Sequence, residues 1–177
     1  MSVGIDLGDM ASPFGSVHTR HKIEVGDRLS LGGRAVAYGQ HVLWEGPTVE
    51  SAQGTTAGAA GAGSASVRIT FAEDSLGPAG LLLRNASAGW QLCCDGAAGG
   101  TGCVGGVAAQ VSNSAIVVSV AAGQSCKAVK YVQYAWSAFP CEFEACSVYT
   151  VGPGEPRVLL PAAPFNVSVT APAVSER

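Results

Sequence analysis

The sequence predicts a fold in two parts, an α/β segment over residues 1–46 and an antiparallel β-sandwich further along the chain. Apolar residues between Thr19 and Tyr38 recur with the period of a helix. Beyond residue 66 they alternate with a period of two, which is typical of strands with one buried face. All six cysteines lie in the second half, so the two halves also differ in composition.

We place the domain boundaries where the composition changes. Residues 47–66 form a low-complexity linker, since most of this stretch is Gly, Ala, Ser and Thr, which is typical of flexible chain. Residues 67–172 form the β-sandwich, and residues 173–177 are a short tail. The sequence contains no internal repeat.

The α/β segment is predicted to begin with a short buried parallel strand over Val3–Ile5, because this run is apolar and continuous. A loop follows, and then a helix with Thr19 as its N-cap and Gly39 as its C′ residue. The Gly32-Gly33 pair opposes the helix by about 1 kcal/mol per residue relative to alanine. The predicted apolar face consists of Ile23, Val25, Leu29, Leu31, Ala35, Val36 and Tyr38.

In the second part, short runs rich in β-branched and aromatic residues are separated by Gly and Pro turns, which predicts six or so strands. The candidate strands are residues 66–71, 81–83, 90–94, 115–120, 129–136 and 165–169. Residues 96–106 are rich in glycine and are predicted to form a loose loop.

The composition excludes some classes of function. With 47% apolar residues, 13% charged residues and a net charge of -3, the 177-residue chain is globular in character. Its ten basic residues are scattered, so we expect no nucleic-acid partner. It contains no run of 18 apolar residues, so we expect no membrane span. The oligomeric state does not follow from the sequence.

The cysteines predict three disulfides and therefore an oxidising compartment. Six cysteines allow 15 pairings, and the sequence does not select one. Two alternatives are a zinc site, although no C-x-x-C spacing is present, and reduced cysteines that pack in the core. The six residues are Cys93, Cys94, Cys103, Cys126, Cys141 and Cys146.

Two glycosylation sequons, at Asn85 and Asn166, agree with a secreted or lysosomal location. The first ten residues lack the basic start and apolar core of a signal peptide. We therefore expect the natural protein to begin upstream of Met1, with a signal peptide there.

A candidate catalytic pair lies in the loop before the helix. His18 stands near two carboxylates, Asp6 and Asp9, and a carboxylate that holds one imidazole nitrogen leaves the other free to accept a proton from a serine. The alternative is that His18 is an incidental loop residue, with the two aspartates acting as turn or capping groups. We interpret His21 as solvated and His41 as a partner of the helix C-terminus.

No nucleophile can be assigned from the sequence. The chain contains neither a G-x-S-x-G motif nor a Gly-Asp-Ser triplet. Ser12 and Ser16 lie near His18, but neither follows a strand in the manner of a nucleophile elbow.

Several runs of the sequence resemble one family of esterases. The run DLGDMASPFGSVHTRHK, followed by RLSLGGRAVAYG and EGPTVES, is similar to the end of the catalytic domain of sialate O-acetylesterases of the SGNH superfamily. The later runs VKYVQYAWSAFPC, CSVYT and LPAAPF resemble the closing segment of that family. The resemblance implies that residues 1–46 are the last strand, catalytic loop and helix of a flavodoxin-like hydrolase domain.

The resemblance also implies roles for individual residues. His18 matches the catalytic histidine, in a motif that usually reads Ile-His-Pro and here reads Val-His-Thr. Superfamily members often carry an aspartate three residues before the histidine, where this chain has Gly15, so Asp9 and Asp6 remain the candidate acids. The nucleophilic serine and the oxyanion hole belong to earlier blocks of the family that this sequence lacks.

We therefore expect the carboxy-terminal part of an esterase that hydrolyses O-acetyl esters of sialic acids or related sugars, without a metal or organic cofactor. This chain alone is expected to be inactive, because it lacks the nucleophile. The alternative is a truncated, non-catalytic relative whose sandwich binds carbohydrate or protein. Such a surface requires exposed aromatic rings at Trp90, Tyr134 or Trp136, which we expect to pack in the core instead.

Overall fold

The computed structural model contains one helix, α1 (Lys22–Val36), in an amino-terminal arm that we define as residues 2–46. The structure describes residues 2–15, 18–55, 65–97, 100–124, 126, 128–154 and 157–171. The helix begins two residues later than predicted, and His21 rather than Thr19 occupies the N-cap position. Thr19 instead accepts a hydrogen bond from the His21 N–H through its hydroxyl oxygen (3.1 Å).

The helix ends one residue earlier than predicted, with Ala37 as its C-cap, so Gly39 lies two positions beyond the cap rather than one. Gly39 adopts a φ of +63°, a conformation that glycine reaches without the steric cost of a side chain. The N–H of Gln40 donates to the carbonyl of Arg34 across this turn at 3.0 Å. That hydrogen bond satisfies the Arg34 carbonyl, which lies in the last helical turn and has no partner within the helix.

Two predictions for the arm are wrong. The described residues 2–5 form no strand, because the described chain places no parallel strand beside them with which to pair. The predicted apolar face of α1 is also largely uncovered. Leu31 is buried, whereas Ile23, Leu29 and Val36 are exposed.

The remaining elements form an antiparallel β domain, as predicted for the second part of the chain. Its ten strands are β1 (Val49–Gly54), β2 (Ser66–Phe71), β3 (Leu82–Leu83), β4 (Trp90–Ala97), β5 (Gly100–Gln110), β6 (Ala115–Val120), β7 (Val129–Tyr134), β8 (Val148–Val151), β9 (Leu159–Pro161) and β10 (Phe165–Ser168). β2 and β6 match their predicted bounds. The prediction for β5 is wrong, since the sequence predicted a loose loop over the first half of this strand. The predicted linker overlaps β1, and residues 56–64 lie outside the described part.

The strands form a seven-stranded sheet, in the order β1-β2-β6-β5-β4-β7-β10, and a three-stranded sheet, β3-β8-β9. A bridge between Gln53 and Thr170 joins the first strand to the chain just after the last one, so the large sheet is nearly closed. The architecture is therefore close to a barrel rather than to a sandwich of two similar sheets. Closure removes most of the exposed edges of the large sheet.

The core of the β domain is continuous and apolar. Val67, Ile69 and Phe71 from β2 are fully buried, because alternate residues of this strand point inward. The aromatic rings of Trp90 and Tyr134 pack with centroids 4.5 Å apart, and both side chains are buried as predicted. Trp136 differs from that prediction, since 56% of it is exposed.

The three predicted disulfides are present. They join Cys93 to Cys103, Cys94 to Cys126 and Cys141 to Cys146. The first two link strands and loops of the large sheet, and the third closes a short loop before β8. In the described chain, α1 is the only α-helix, beside a single 3-10 turn at Glu73–Ser75, and no helix there is long enough to cross a membrane.

Candidate functional site

The loop that carries His18 is anchored by a buried ion pair. Asp6 has no exposed surface and Arg28 of α1 is 2% exposed. The two Arg28 terminal nitrogens donate to the two Asp6 oxygens at 2.6 and 3.0 Å, which is a bidentate arrangement. Arg28 also donates to the carbonyls of Val3 and Leu159 (3.0 and 2.9 Å), so the guanidinium is well satisfied.

A tyrosine of β8 completes this cluster. The Tyr149 hydroxyl donates to Asp6 Oδ2 at 3.0 Å and accepts a hydrogen bond from the Cys146 N–H at 3.1 Å. Burial, and then the Asp6 charge, raises the pKa of Tyr149 well above its usual value. The hydroxyl therefore remains a neutral donor to Asp6, and it joins residues 143 positions apart in the sequence.

Asp9 is engaged by a second arginine. Arg20 donates to Asp9 Oδ2 through Nε (2.6 Å) and to Oδ1 through a terminal nitrogen (3.0 Å). The backbone N–H of Arg20 also donates to Asp9 Oδ2, at 3.3 Å. These bonds, with the Arg20 side chain foremost, lower the pKa of Asp9 to about 2 although burial opposes the shift. Asp9 is thus a carboxylate at neutral pH.

His18 lies at the surface, between these two anchors and the start of α1. Its N–H donates to the Gly15 carbonyl at 2.9 Å, and its carbonyl accepts a bond from the Ser12 hydroxyl at 2.6 Å. The backbone is thereby fixed while the side chain is exposed. Within the described residues, the hydrogen bonds of Asp6 and Asp9 go to arginine, tyrosine and backbone groups and not to the His18 ring.

The His18 side chain borders an open cavity of about 640 Å³. The other lining residues are Phe14, Thr19, Arg20 and Lys22. No carboxylate is among them, and Arg20 is already paired with Asp9. The arrangement offers an accessible imidazole, an apolar ring and one further cation, Lys22, to a molecule that enters the cavity.

The other candidates are placed elsewhere. Ser12 is buried and its hydroxyl is used for the loop, whereas Ser16 lies outside the described residues. His21 is half-buried and stacks on Phe143 rather than being solvated (centroids 3.6 Å apart, rings 11° from parallel). His41 is exposed, beyond the end of α1.

Sequence reasoning missed Arg20, Arg28 and Tyr149 as partners of the two aspartates. One signal was available for Arg28, because it lies on the same side of the helix as Leu31 and Ala35. A charged residue on a face that packs inward requires a buried partner of opposite charge. No comparable signal marks Tyr149, whose role depends on a contact distant in the sequence.

The chain is similar to known proteins over nearly all of its length. A family model, the sialate O-acetylesterase C-terminal domain, matches residues 59–169. The sialate O-acetylesterase of Rattus norvegicus is 30% identical over 172 residues, covering 96% of this chain and 28% of the relative. The human sialate O-acetylesterase is 29% identical over 171 residues, with 96% and 29% covered.

A solved structure shares the fold. The crystal structure of a carbohydrate acetylesterase from Xanthomonas citri superposes with a TM-score of 0.63 at 22% identity, covering 94% of this chain and 32% of that protein. The chain thus spans less than a third of the length of these relatives. Since the family model covers most of the chain and the curated relatives agree with it, the chain belongs to the sialate O-acetylesterase family.

Proposed function

We propose that this chain supplies the general base of a serine-type esterase that removes O-acetyl groups from sialic acids or related sugars. The observation that supports this most is the position of His18, an exposed imidazole on a doubly anchored loop beside an open cavity. The relatives are sialate and carbohydrate acetylesterases, which indicates an acetylated sugar as the substrate.

The proposed reaction requires a serine from a hydrolase unit outside this chain. His18 accepts the proton of that serine as the serine oxygen attacks the acetyl carbonyl. It then donates the proton to the sugar oxygen as the ester C–O bond breaks, so the sugar leaves with a free hydroxyl. The acetyl-enzyme is then hydrolysed by water, with His18 again acting as base. No step calls for a metal or an organic cofactor.

Asp9 is the better candidate for the carboxylate that orients His18, with Asp6 as the alternative. Asp9 Oδ1 accepts one described hydrogen bond, from Arg20, and a carboxylate oxygen has room for two. Asp6 is completely buried and shares its oxygens between Arg28 and Tyr149, so a histidine would have to enter a closed cluster. We therefore assign Asp6 mainly to holding the loop.

The hydrolase unit is proposed to bind the exposed side of α1. Ile23, Leu29 and Val36 are 55 to 77% exposed, and nothing lies within 4 Å of a Cβ placed on Gly26 or Gly33 between them. Small residues beside apolar ones allow another element to approach closely. Among the described residues of the arm, six large apolar side chains are exposed, and relatives more than three times as long have sequence that could cover them.

The proposal is tested by joining this chain to the upstream part of a curated relative and measuring acetate release from O-acetylated sialic acid. We expect turnover by the fusion and none by the chain alone. His18→Ala should reduce kcat by at least about a hundredfold, the usual contribution of a general base. His41→Ala is the matched control, because it removes an exposed histidine outside the site.

Two results would overturn the proposal. One is turnover, by the isolated chain or by the fusion, that His18→Ala does not reduce. The other is a folded fusion that is inactive on O-acetylated sialic acid and on simple acetyl esters alike.

A second function is favoured by a single observation. Trp136 is exposed, and exposed indole rings can stack on sugars, so a non-catalytic carbohydrate-binding role is the alternative. Titration of the chain with sialosides, followed by tryptophan fluorescence, distinguishes the two. Binding that is lost in Trp136→Ala and unchanged in His18→Ala supports the alternative.

We also propose a secreted or lysosomal location. Three disulfides need an oxidising compartment to form, and both sequon asparagines, Asn85 and Asn166, are exposed for glycosylation. Expression with a signal peptide in cultured cells should yield protein whose mass falls when N-glycans are removed enzymatically. Unglycosylated protein that retains free thiols contradicts this assignment.

A further inference from the structure

The segment 139–149, which we call the disulfide loop, contacts the His18 loop (residues 6–21) on both sides of His18. Before His18, the Glu144 N–H donates to the Asp6 carbonyl at 3.0 Å, and the Phe139 ring lies so close to Gly8 that a Cβ there would overlap it. After His18, the Phe143 ring stacks on His21. The two flanks of the base thus rest on one short segment of the β domain.

The disulfide loop is itself constrained. The Cys141–Cys146 bond closes it over five positions, and the Ala145 N–H donates to the Glu142 carbonyl at 2.9 Å. Glu144 adopts a φ of +48°, which a residue with a side chain rarely takes unless its surroundings fix it. At its end, the Tyr149 hydroxyl bonds both Cys146 and Asp6, so the same residue joins the two loops.

From these contacts we infer that the disulfide loop is a positioning element for His18, with Phe143 and Tyr149 as its main positioning residues. This inference rests on the proposed role of His18 as a general base. Such a base must lie within hydrogen-bond reach of the nucleophile, and a displacement of about 1 Å can lower the rate about a hundredfold. A loop that is held on both flanks keeps the exposed imidazole at one place.

The β domain, which carries the disulfide loop, thus has a part in the proposed reaction. No residue of the disulfide loop lines the His18 cavity in the described structure, so these residues act through the loop and not on the substrate. Of the contacts between the two loops, the stacking of Phe143 on His21 can be removed most selectively. Phe143 is 39% exposed and lies outside the large apolar core, so its loss should leave the fold intact.

The test compares Phe143→Ala with Trp136→Ala, which removes another exposed aromatic ring near the same loop. Amide hydrogen exchange is measured on this chain for residues 18–21 and for β2. Loss of the stacked His21–Phe143 pair should raise the rate of amide exchange at residues 18–21 about two- to tenfold, because these residues then open more often. Exchange in β2 should not change, Trp136→Ala should have no effect on either segment, and Phe143→Tyr should restore the original exchange.

The fusion enzyme provides the second measurement. We expect Phe143→Ala to lower kcat several-fold with KM unchanged, and Phe143→Tyr to recover it, because the substrate does not touch Phe143. Unaltered exchange at residues 18–21 in Phe143→Ala overturns the inference. If exchange increases but the unmodified fusion is inactive, the loop contact is real and it is the proposed function that fails.

Discussion

The arm and the β domain differ in what they bury. The β domain buries most of its large apolar side chains, and Ile69, Leu92 and Val118 have no exposed surface. The arm does the reverse at its centre, where Asp6 and Arg28 are among its most buried residues while Ile23 and Val36 face solvent. The β domain is thus stabilised by its own core, whereas the arm depends on one polar cluster and leaves an apolar face uncovered.

This difference indicates how the two parts divide the work. A closed apolar core with three disulfides makes a rigid support, and the polar cluster attaches the His18 loop to it. The uncovered face of α1 is available to another domain. We therefore propose that the arm connects the β domain to a hydrolase unit outside this chain.

The largest expected effect comes from breaking the polar cluster. Arg28→Met leaves Asp6 charged and buried without its partner, which typically costs about 3 to 5 kcal/mol. Circular dichroism should show loss of helical signal at lower denaturant concentration, with the β signal unchanged. Arg34→Met, at an exposed position of the same helix, is the control. Simultaneous loss of both signals would show that the two parts do not differ in stability.

The second test uses the same substitution in both parts. Ile69→Ala removes fully buried methyl groups and should lower the free energy of unfolding by about 2 to 5 kcal/mol. Ile23→Ala alters a side chain that is 77% exposed and should change it by less than about 0.5 kcal/mol. Urea denaturation measures both. Similar losses for the two variants would mean that the face of α1 is covered in solution.

The disulfides should contribute unequally. Cys94 and Cys126 are 32 positions apart, whereas Cys141 and Cys146 are five apart. In each variant, both cysteines of one disulfide are replaced by serine. If a disulfide acts mainly by restricting the unfolded chain, the free energy of unfolding should fall by about 4 kcal/mol for Cys94–Cys126 and by about 2 kcal/mol for Cys141–Cys146. Thermal unfolding of both double variants measures the difference. The reverse order would indicate that the short disulfide contributes through its contacts with the arm.

Changes of pH should alter stability less than these substitutions, and they should affect the arm and the β domain at different pH values. The pKa of Asp9 is lowered to about 2, so the stability it gives the arm is present above pH 4 and is lost as the pH falls towards 2. Burial raises the pKa of Tyr134 to about 12, so stability of the β domain falls as the pH rises from 10 through 12. Titration followed by far-ultraviolet circular dichroism should show the helix melting first in acid. The Asp9→Asn variant should abolish that acid step.

Sequence patterns predicted the β domain better than the arm, for a physical reason. β2 alternates between buried and more exposed residues along its whole length, and β6 does so from Ile116 onward, so local pattern and final burial agree. β5 is rich in glycine and is ordered by pairing with β4 and β6, which no local signal shows. The strand over Val3–Ile5 was predicted from apolar residues alone, but a strand requires a neighbour that the described chain does not provide.

The sequence places the three candidate residues on one loop but does not show their contacts. His18, Asp6 and Asp9 lie on one anchored loop, as their spacing suggests. The partners of Asp6 come from α1 and from β8, and pairs such as Asp6 with Tyr149 depend on the complete fold. Short-range sequence reasoning therefore finds the His18 loop more readily than the groups that hold it.

The most direct test of the division of labour is to trap the acetyl-enzyme. The fusion is mixed with an activated acetyl ester, quenched in acid and mapped by mass spectrometry after proteolysis. We predict an acetyl group on a serine of the upstream hydrolase unit, and much less of it in His18→Ala than in His41→Ala. An acetylated serine within residues 1–177, formed at the same rate in both variants, would contradict the account.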